Sequence, residues 1–271
     1  METSPEVLET HILDGVALTE CICDPSTSRA PVVLVHGGCH GAWQWEATQR
    51  WLATVGRSST ALDWYSHGAS RRLSVDEWIA RGIQDVQHEI GIAVREVGTR
   101  PVLVGHSMGG LAALSYAATH TEEIAALVLL TPVVPVQFAG AVVDLPVDLT
   151  VPWQAPPPDI ARKLFYGGAS EADGDAIYAK LQAESPRAVW EATRWMVDVD
   201  VERVTVPVLV IAGETDQLTP ADLVSDLARG IGADLITLPS VDHGVTFDPS
   251  WPAVRARIDA WISDVLGEQR L

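Results

Sequence analysis

Short, wholly apolar runs alternate with longer amphipathic ones along this chain. Pro31–Val35, Pro101–Gly105 and Ile124–Leu130 carry apolar residues at successive positions, the pattern of strands buried on both faces. Ser59–Asp63, Val206–Ala212 and Asp234–Leu238 read as further strands. Val7–Leu13 and Val16–Cys23 flank Asp14-Gly15, an antiparallel hairpin signal. Helical spacing covers Trp43–Val55, Met108–His120, Pro220–Arg229 and Trp251–Leu266. One long helix is predicted from Ser74 to about Val97, with Ser74 as N-cap and Glu77 completing a capping box. Strand–helix alternation of this kind predicts an α/β fold: a mostly parallel sheet, helices on both faces and right-handed crossovers.

One stretch departs from the alternation. Between Pro132 and Thr205 stand Pro135, Pro146, Pro152 and the triplet Pro156-Pro157-Pro158, followed by helical patterns near Pro158–Phe165, Ser170–Glu184 and Pro186–Val197. Trp153, Phe165, Tyr166, Trp190, Trp195 and Met196 make it too apolar for a linker. The expected organisation is a core of residues 1–132 and 206–271 with a helical cap, 133–205, inserted between two strands.

Gly105-His106-Ser107-Met108-Gly109 sits where a buried strand gives way to a helix. That is the setting of a G-x-S-x-G nucleophile elbow, in which a serine is held on a turn too tight for side chains two residues away. A serine needs a base, and the base needs an orienting group. Of the eight histidines, His243 lies in a loop at the carboxyl end of the last predicted strand, where open α/β sheets place their sites. His11, His88 and His120 read as surface or packing residues, and His36 and His40 as structural. Asp216, after the strand ending near Gly213, is the chosen acid, with Glu214 its nearest competitor. Ser107…Asp216…His243 follows the Ser…Asp/Glu…His order of this elbow architecture. An oxyanion hole needs two backbone N–H groups. Met108 would supply one, and Gly38, in the glycine-rich loop after Val35, the other.

Charge and composition narrow the partners. The chain has 271 residues and a formal net charge of −18, which repels nucleic acid and anionic lipid. Acidic residues in the first fifteen positions have the wrong sign for a signal peptide, and no apolar run is long enough to span a bilayer. A cytoplasmic location is therefore expected. Cys21 and Cys23 share one face of a predicted strand and read as buried thiols, since no second Cys/His pair has ligand spacing. No Walker A pattern is present, and no G-x-G-x-x-G opens a helix after a strand. No cofactor and no metal are expected.

Together, His36-Gly37-Gly38, Asp63-Trp-Tyr-Ser66-His67-Gly68-Ala-Ser70, Gly105–Gly110, Gly213–Asp216 and His243 resemble the α/β-hydrolase superfamily over nearly the whole chain. Ser66 stands where the superfamily's D-x-x-G-H-G-x-S stretch has glycine. The loop His36-Gly-Gly-Cys-His-Gly-Ala-Trp43 and the segment Phe165–Glu171 are similar to the methylesterase and hydroxynitrile lyase branch and its bacterial relatives. The lyases typically carry lysine directly after the catalytic histidine, where Gly244 stands here, so the resemblance implies an esterase rather than a lyase. Dehalogenases and epoxide hydrolases of this fold use an aspartate nucleophile, which Ser107 replaces. The expected activity is cofactor-independent hydrolysis of a largely apolar, small-molecule ester, lactone or thioester. Trp153, Phe165 and Trp190 of the cap are expected to contact it, and Trp43 or Trp45 to line the pocket or pack. Two other uses of such a site stay open at this point. One is C–C hydrolysis, perhydrolysis or natural-product tailoring on the same residues. The other is ligand binding with little turnover.

Overall fold

The computed structural model describes residues 7–269; residues 1–6, part of the acidic leading segment, lie outside the described residues. The strands are β1 (Leu8–Leu13), β2 (Val16–Cys21), β3 (Val32–Val35), β4 (Ser59–Leu62), β5 (Val102–His106), β6 (Ala126–Leu130), β7 (Val208–Gly213) and β8 (Asp234–Leu238). They form one sheet in the order β1-β2-β4-β3-β5-β6-β7-β8. β1, β2 and β4 pair antiparallel, and all pairs from β4 through β3 to β8 are parallel. The β1–β2 register closes on Leu13↔Val16, with Asp14 and Gly15 both at positive φ (50° and 82°). That is the mirror-image turn whose twist suits a two-residue hairpin.

The helices are α1 (Glu46–Thr54), α2 (Val75–Ile79), α3 (Gln87–Val97), α4 (Met108–Thr119), α5 (Pro158–Phe165), α6 (Glu171–Tyr178), α7 (Pro186–Thr193), α8 (Ala221–Ile231) and α9 (Trp251–Leu266). The period-two alternation of the central strands divides the core into two layers. Val33, Val35, Leu103, Leu127, Leu129 and Val210 pack with residues of α3, α4 and α8 on one face. Val32, Leu34, Val104, Val128 and Ile211 pack with Leu52 of α1 and Trp251, Val254 and Ile258 of α9 on the other. The helices that follow the neighbouring strands β3 and β5 therefore leave toward opposite faces. The sheet order reverses there, and the loops part to leave a crevice at the strands' carboxyl ends.

The single helix predicted over Ser74–Val97 is a correction. The capping box forms, with Glu77 N–H donating to Ser74 Oγ (3.3 Å) and Ser74 N–H to Glu77 Oε2 (2.9 Å). The helix nevertheless stops at Ile79. At Gly82 a β-carbon would lie 2.7 Å from a Glu191 oxygen, and Glu191 Oε2 accepts the Ile83 N–H at 2.9 Å. A carboxylate from α7 thus takes the place of a helical backbone partner, and the chain restarts through a one-turn 3-10 segment, Ile83–Val86, into α3. Helical spacing survives such a break, which is why the sequence hides it.

Between β6 and β7 the chain leaves the sheet and carries α5, α6 and α7. Ala161, Phe165, Tyr166, Ala169 and Ile177 form a small apolar cluster there, against which Trp43 packs. Trp45 is fully buried in the α1–α9 layer. Both tryptophans are packing residues. No helix among the described residues is long and apolar enough to cross a membrane.

Candidate active site

β5 enters α4 through Ser107, whose backbone adopts φ 55°, ψ −122°. A side chain at Gly105 would put Cβ 2.4 Å from the Gly109 carbonyl oxygen, and one at Gly109 would put it 2.1 Å from that of His36. The two glycines are therefore required by close backbone approach. The strained serine is pinned from outside its own turn: its N–H donates to Leu130 O (3.0 Å), and its carbonyl accepts from Val133 N–H (3.0 Å).

The structure brings Ser107, His243 and Asp216 into one hydrogen-bonded line. Ser107 Oγ lies 2.8 Å from His243 Nε2, and His243 Nδ1 lies 2.8 Å from Asp216 Oδ2. All three residues are buried. Asp216 Oδ1 also accepts the N–H groups of Leu218 (2.8 Å) and Thr219 (2.9 Å), and the Thr219 hydroxyl reaches Oδ2 at 2.6 Å. A carboxylate so fully engaged is an acceptor throughout, so His243 Nδ1 carries the proton and Nε2 presents its lone pair to the serine hydroxyl. Glu214, the competing acid, instead accepts the Ser240 N–H at 3.0 Å.

Several residues that sequence reasoning passed over hold this line. His106 Nε2–H donates to the His243 carbonyl (3.0 Å), and the Thr131 hydroxyl donates to the same oxygen (3.2 Å). Gln44 Nε2 donates to His106 Nδ1 (3.0 Å) and to Thr246 Oγ1 (3.1 Å), while its Oε1 accepts the Gly37 N–H (3.3 Å). Burial, reinforced by the neighbouring His243, pushes the His106 pKa well below the usual imidazole value. The ring is therefore neutral, one nitrogen accepting and the other donating. Gln44 thus ties the loop after β3, the elbow and the His243 loop together. Nothing in the sequence singles out Gln44, but Thr219, three residues after Asp216, carries the local spacing of a side-chain-capped turn.

Gly38 and Met108 lie beside Ser107 in the lining of one cavity. Among the described residues neither backbone N–H is taken by another acceptor. A β-carbon on Gly38 would meet Met108 Sδ at 2.4 Å, so the two loops approach as closely as a side-chain-free residue allows. The cavity holds about 590 Å³, its open mouth included, and its walls are mainly apolar: Val133, Val143, Leu145, Leu218, Trp153 and Phe165. Trp190 is not in the lining, which corrects the expectation for it. α7 turns Val189, Ala192 and Thr193 to the cavity, one face at i, i+3 and i+4. Trp190 lies off that face, with the Arg194 guanidinium 3.4 Å above its ring. Gly244 packs on the backbone of Phe165 and Tyr166, where a β-carbon would come within 2.4 Å of Phe165 O. There is no room for a lysine side chain after His243.

At the junction with the inserted helices, Glu184 Oε2 lies 3.1 Å from His67 Nε2, both side chains almost fully buried. The two groups form an ion pair when the His67 ring is protonated. Glu184 also accepts from Cys39 N–H (3.1 Å) and Ser185 N–H (2.7 Å). Burial alone would lower the His67 pKa, but the Glu184 carboxylate overrides it and the pKa ends above the ordinary value. Burial likewise opposes the Glu184 charge, and His67 with the two N–H donors carries that pKa below its ordinary value. Ser66, where a glycine was expected, takes φ 69° and accepts the Leu73 N–H on its hydroxyl (3.0 Å).

A profile of the alpha/beta hydrolase family matches residues 32–255. A monoacylglycerol lipase of Mycolicibacterium smegmatis is 28% identical over 92% of this chain and 93% of its own length. Methylesterase 7 of Arabidopsis thaliana is 34% identical, over 38% of this chain and 40% of its own. Among solved structures, the monoacylglycerol lipase of Paleococcus ferrophilus superposes with a TM-score of 0.72 at 20% identity, covering 94% of this chain and 99% of that one.

Proposed function

The chain belongs to the alpha/beta hydrolase family, and we propose that it is a serine hydrolase cleaving a carboxylic ester through an acyl-enzyme on Ser107. The observation that carries this reading is the line from Ser107 Oγ through His243 to Asp216, with both links at 2.8 Å. His243 Nε2 takes the hydroxyl proton as Oγ attacks the ester carbon. Asp216 holds the tautomer and stabilises the imidazolium that forms. The N–H groups of Gly38 and Met108 receive the negative oxygen; loss of one such donor typically costs about 2.7–4 kcal/mol. His243 then protonates the departing alcohol, and water, deprotonated by the same nitrogen, releases the acid. A lactone or thioester would open by the same steps.

The apolar walls support a small substrate with a largely apolar acyl or alcohol group. Residues 133–205, which bring Trp153 and Phe165 over Ser107, act as the cap on this site. Relatives named as a monoacylglycerol lipase and a methylesterase support ester chemistry. Three buried cysteines, none in a disulfide, suit work in a reducing cytoplasm. The test is covalent labelling with a fluorophosphonate. Rapid stoichiometric labelling of the wild type, abolished in Ser107→Ala, is the expected result. Labelling that persists unchanged in Ser107→Ala removes the serine from this role, and a wild type that does not label favours a binding protein.

A further inference from the structure

The loop that bears Gly38 is held from the inserted segment, and one of the groups that hold it is charged. Cys39, directly after Gly38, sits at φ 64°. Its N–H donates to Glu184 Oε2 (3.1 Å), and its carbonyl accepts the Gln182 N–H (2.9 Å). Glu184 thereby fixes the peptide next to the Gly38 N–H. A β-carbon on Gly38 would stand 3.6 Å from the same Glu184 oxygen. A carboxylate in that place opposes the proposed reaction. The oxyanion and Glu184 Oε2 would each be one hydrogen bond from adjoining backbone nitrogens, which separates them by no more than about 10 Å. At that range, in a partly buried site, an uncancelled negative charge slows formation of an oxyanion by roughly tenfold.

His67, on the loop after β4, supplies the opposing charge. Both of its ring nitrogens face acceptors: Nδ1 lies 3.3 Å from Tyr65 O, and Nε2 lies 3.1 Å from Glu184 Oε2. A ring set between a carbonyl and a carboxylate favours a hydrogen on each nitrogen, which is the imidazolium. Burial opposes that charge, and Glu184, with Asp63 adding to it, outweighs burial. The other groups around the pair bring no competing charge. His36, 5.3 Å away between ring centroids, and His40 are kept neutral by burial, His40 with a pKa of about 4. Trp64 and Trp78 meet the His67 ring edge-on, burial and Glu184 push the Cys39 thiol up, and the Arg72 guanidinium is turned to Ser66 O and Gly68 O. We propose that Glu184 and His67 are positioning residues of the oxyanion hole: Glu184 sets the Gly38 N–H through Cys39, and the His67 imidazolium cancels the Glu184 charge so that the hole accepts a second negative oxygen. The rate then falls when His67 loses its proton, with Ser107, His243 and Asp216 untouched.

This inference rests on the proposed attack by Ser107. Its test is labelling with an alkyl fluorophosphonate from about pH 6 to about pH 9.5, a range that spans the imidazole titration, because the phosphoryl oxygen gains charge in the hole as an ester oxygen would. The limiting rate at saturating probe and the half-saturating concentration are read separately. In the wild type the limiting rate should fall roughly 3–10-fold as pH rises above the ordinary imidazole value, while the half-saturating concentration stays constant. Glu184→Gln keeps an acceptor for Cys39 and leaves no charge to cancel, so its limiting rate should be level over that range. The double variant His67→Gln with Glu184→Gln removes both charges and should be level too. A level wild-type profile overturns the proposal without any variant, and a decline that persists in Glu184→Gln overturns it as well. So does a decline carried by the half-saturating concentration, which would mean that the cavity loosens while the hole keeps its strength. In each of these cases labelling at Ser107 leaves the hydrolase reading standing. A wild type that does not label at any pH removes that reading and this one with it.

Discussion

The elbow between β5 and α4 and the inserted helices above it are held in place by different physics. At the elbow the constraint is steric and backbone-made: the space that a β-carbon would need at Gly105 or Gly109 is filled by carbonyl groups. The inserted segment shares apolar packing with the core, through Val134, Ala188, Ala192, Trp195 and Val197, and adds a set of polar contacts to it. Glu184 reaches His67 and Cys39, Glu191 takes the Ile83 N–H, and Gln182 donates its N–H to Cys39 O (2.9 Å) and accepts from Gly68 N–H (3.0 Å). The first arrangement fixes one serine by close backbone approach. The second positions a wall, and one of its ties, Glu184 with His67, depends on ionisation.

The contrast is sharpest at Gly109. In Gly109→Ala the added carbon falls 2.1 Å from His36 O, which is backbone and cannot swing aside. The expected loss is at least about 3 kcal/mol of stability, the upper end of overpacking costs. Denaturant unfolding measures it. Fluorophosphonate labelling of whatever folds should also slow, because His36 opens the loop that bears Gly38. A Gly109→Ala protein as stable and as reactive as wild type would mean that the elbow is not sterically determined.

This difference also explains what the sequence reveals. A steric rule leaves a spaced signature, so Gly-x-Ser-x-Gly, the buried strand before it and the strand-end positions of Asp216 and His243 are legible from the residues. Ionic and hydrogen-bonded ties leave none. Glu184 is one acid among many on a strongly acidic chain, and Gln44 is an ordinary helix-entry residue until folding sets it between Gly37 and His106. The break at Gly82 is hidden for the same reason, since its cause, Glu191, lies more than a hundred residues away. Trp190 shows the opposite error. Aromatic content marks the inserted segment as apolar, but only helix phase decides which ring meets the cavity.

The ionic tie predicts a pH signature that the elbow lacks. The His67 pKa is raised on folding, so its contribution to stability is complete below the ordinary imidazole value, about 6.5, and is lost as pH climbs through the raised folded value. The Glu184 pKa is lowered, so its contribution is present above the ordinary carboxyl value and is lost as pH falls through the lowered folded value. Thermal stability should therefore contain a component that declines as pH rises above the ordinary imidazole value. Glu184→Gln keeps acceptors for Cys39 and Ser185 but removes the charge. It should cost about 1–3 kcal/mol near pH 6 and flatten that decline. Melting temperatures from pH 5 to 9 for both proteins decide the matter. An equal decline in the variant would show that the pair does not tie the inserted helices down.

The smallest effect tests whether packing in the inserted segment is as residue-specific as at the elbow. Trp190 and Trp153 are both aromatic and both in that segment, yet only Trp153 lines the cavity, its indole N–H donating to Pro146 O at 2.8 Å. Trp190 instead carries Arg194 on its face, a contact worth about 0.5–1 kcal/mol where partly exposed. Trp190→Ala should lower stability by that amount and change kcat/KM for apolar esters less than about twofold, because nothing that faces the substrate is removed. Trp153→Ala strips a wall and should raise KM for the same esters by roughly tenfold, as loss of a large apolar contact does. Equal KM changes in the two variants would mean that the segment reshapes the cavity as a unit, and the side-chain distinction drawn from helix phase would then fail.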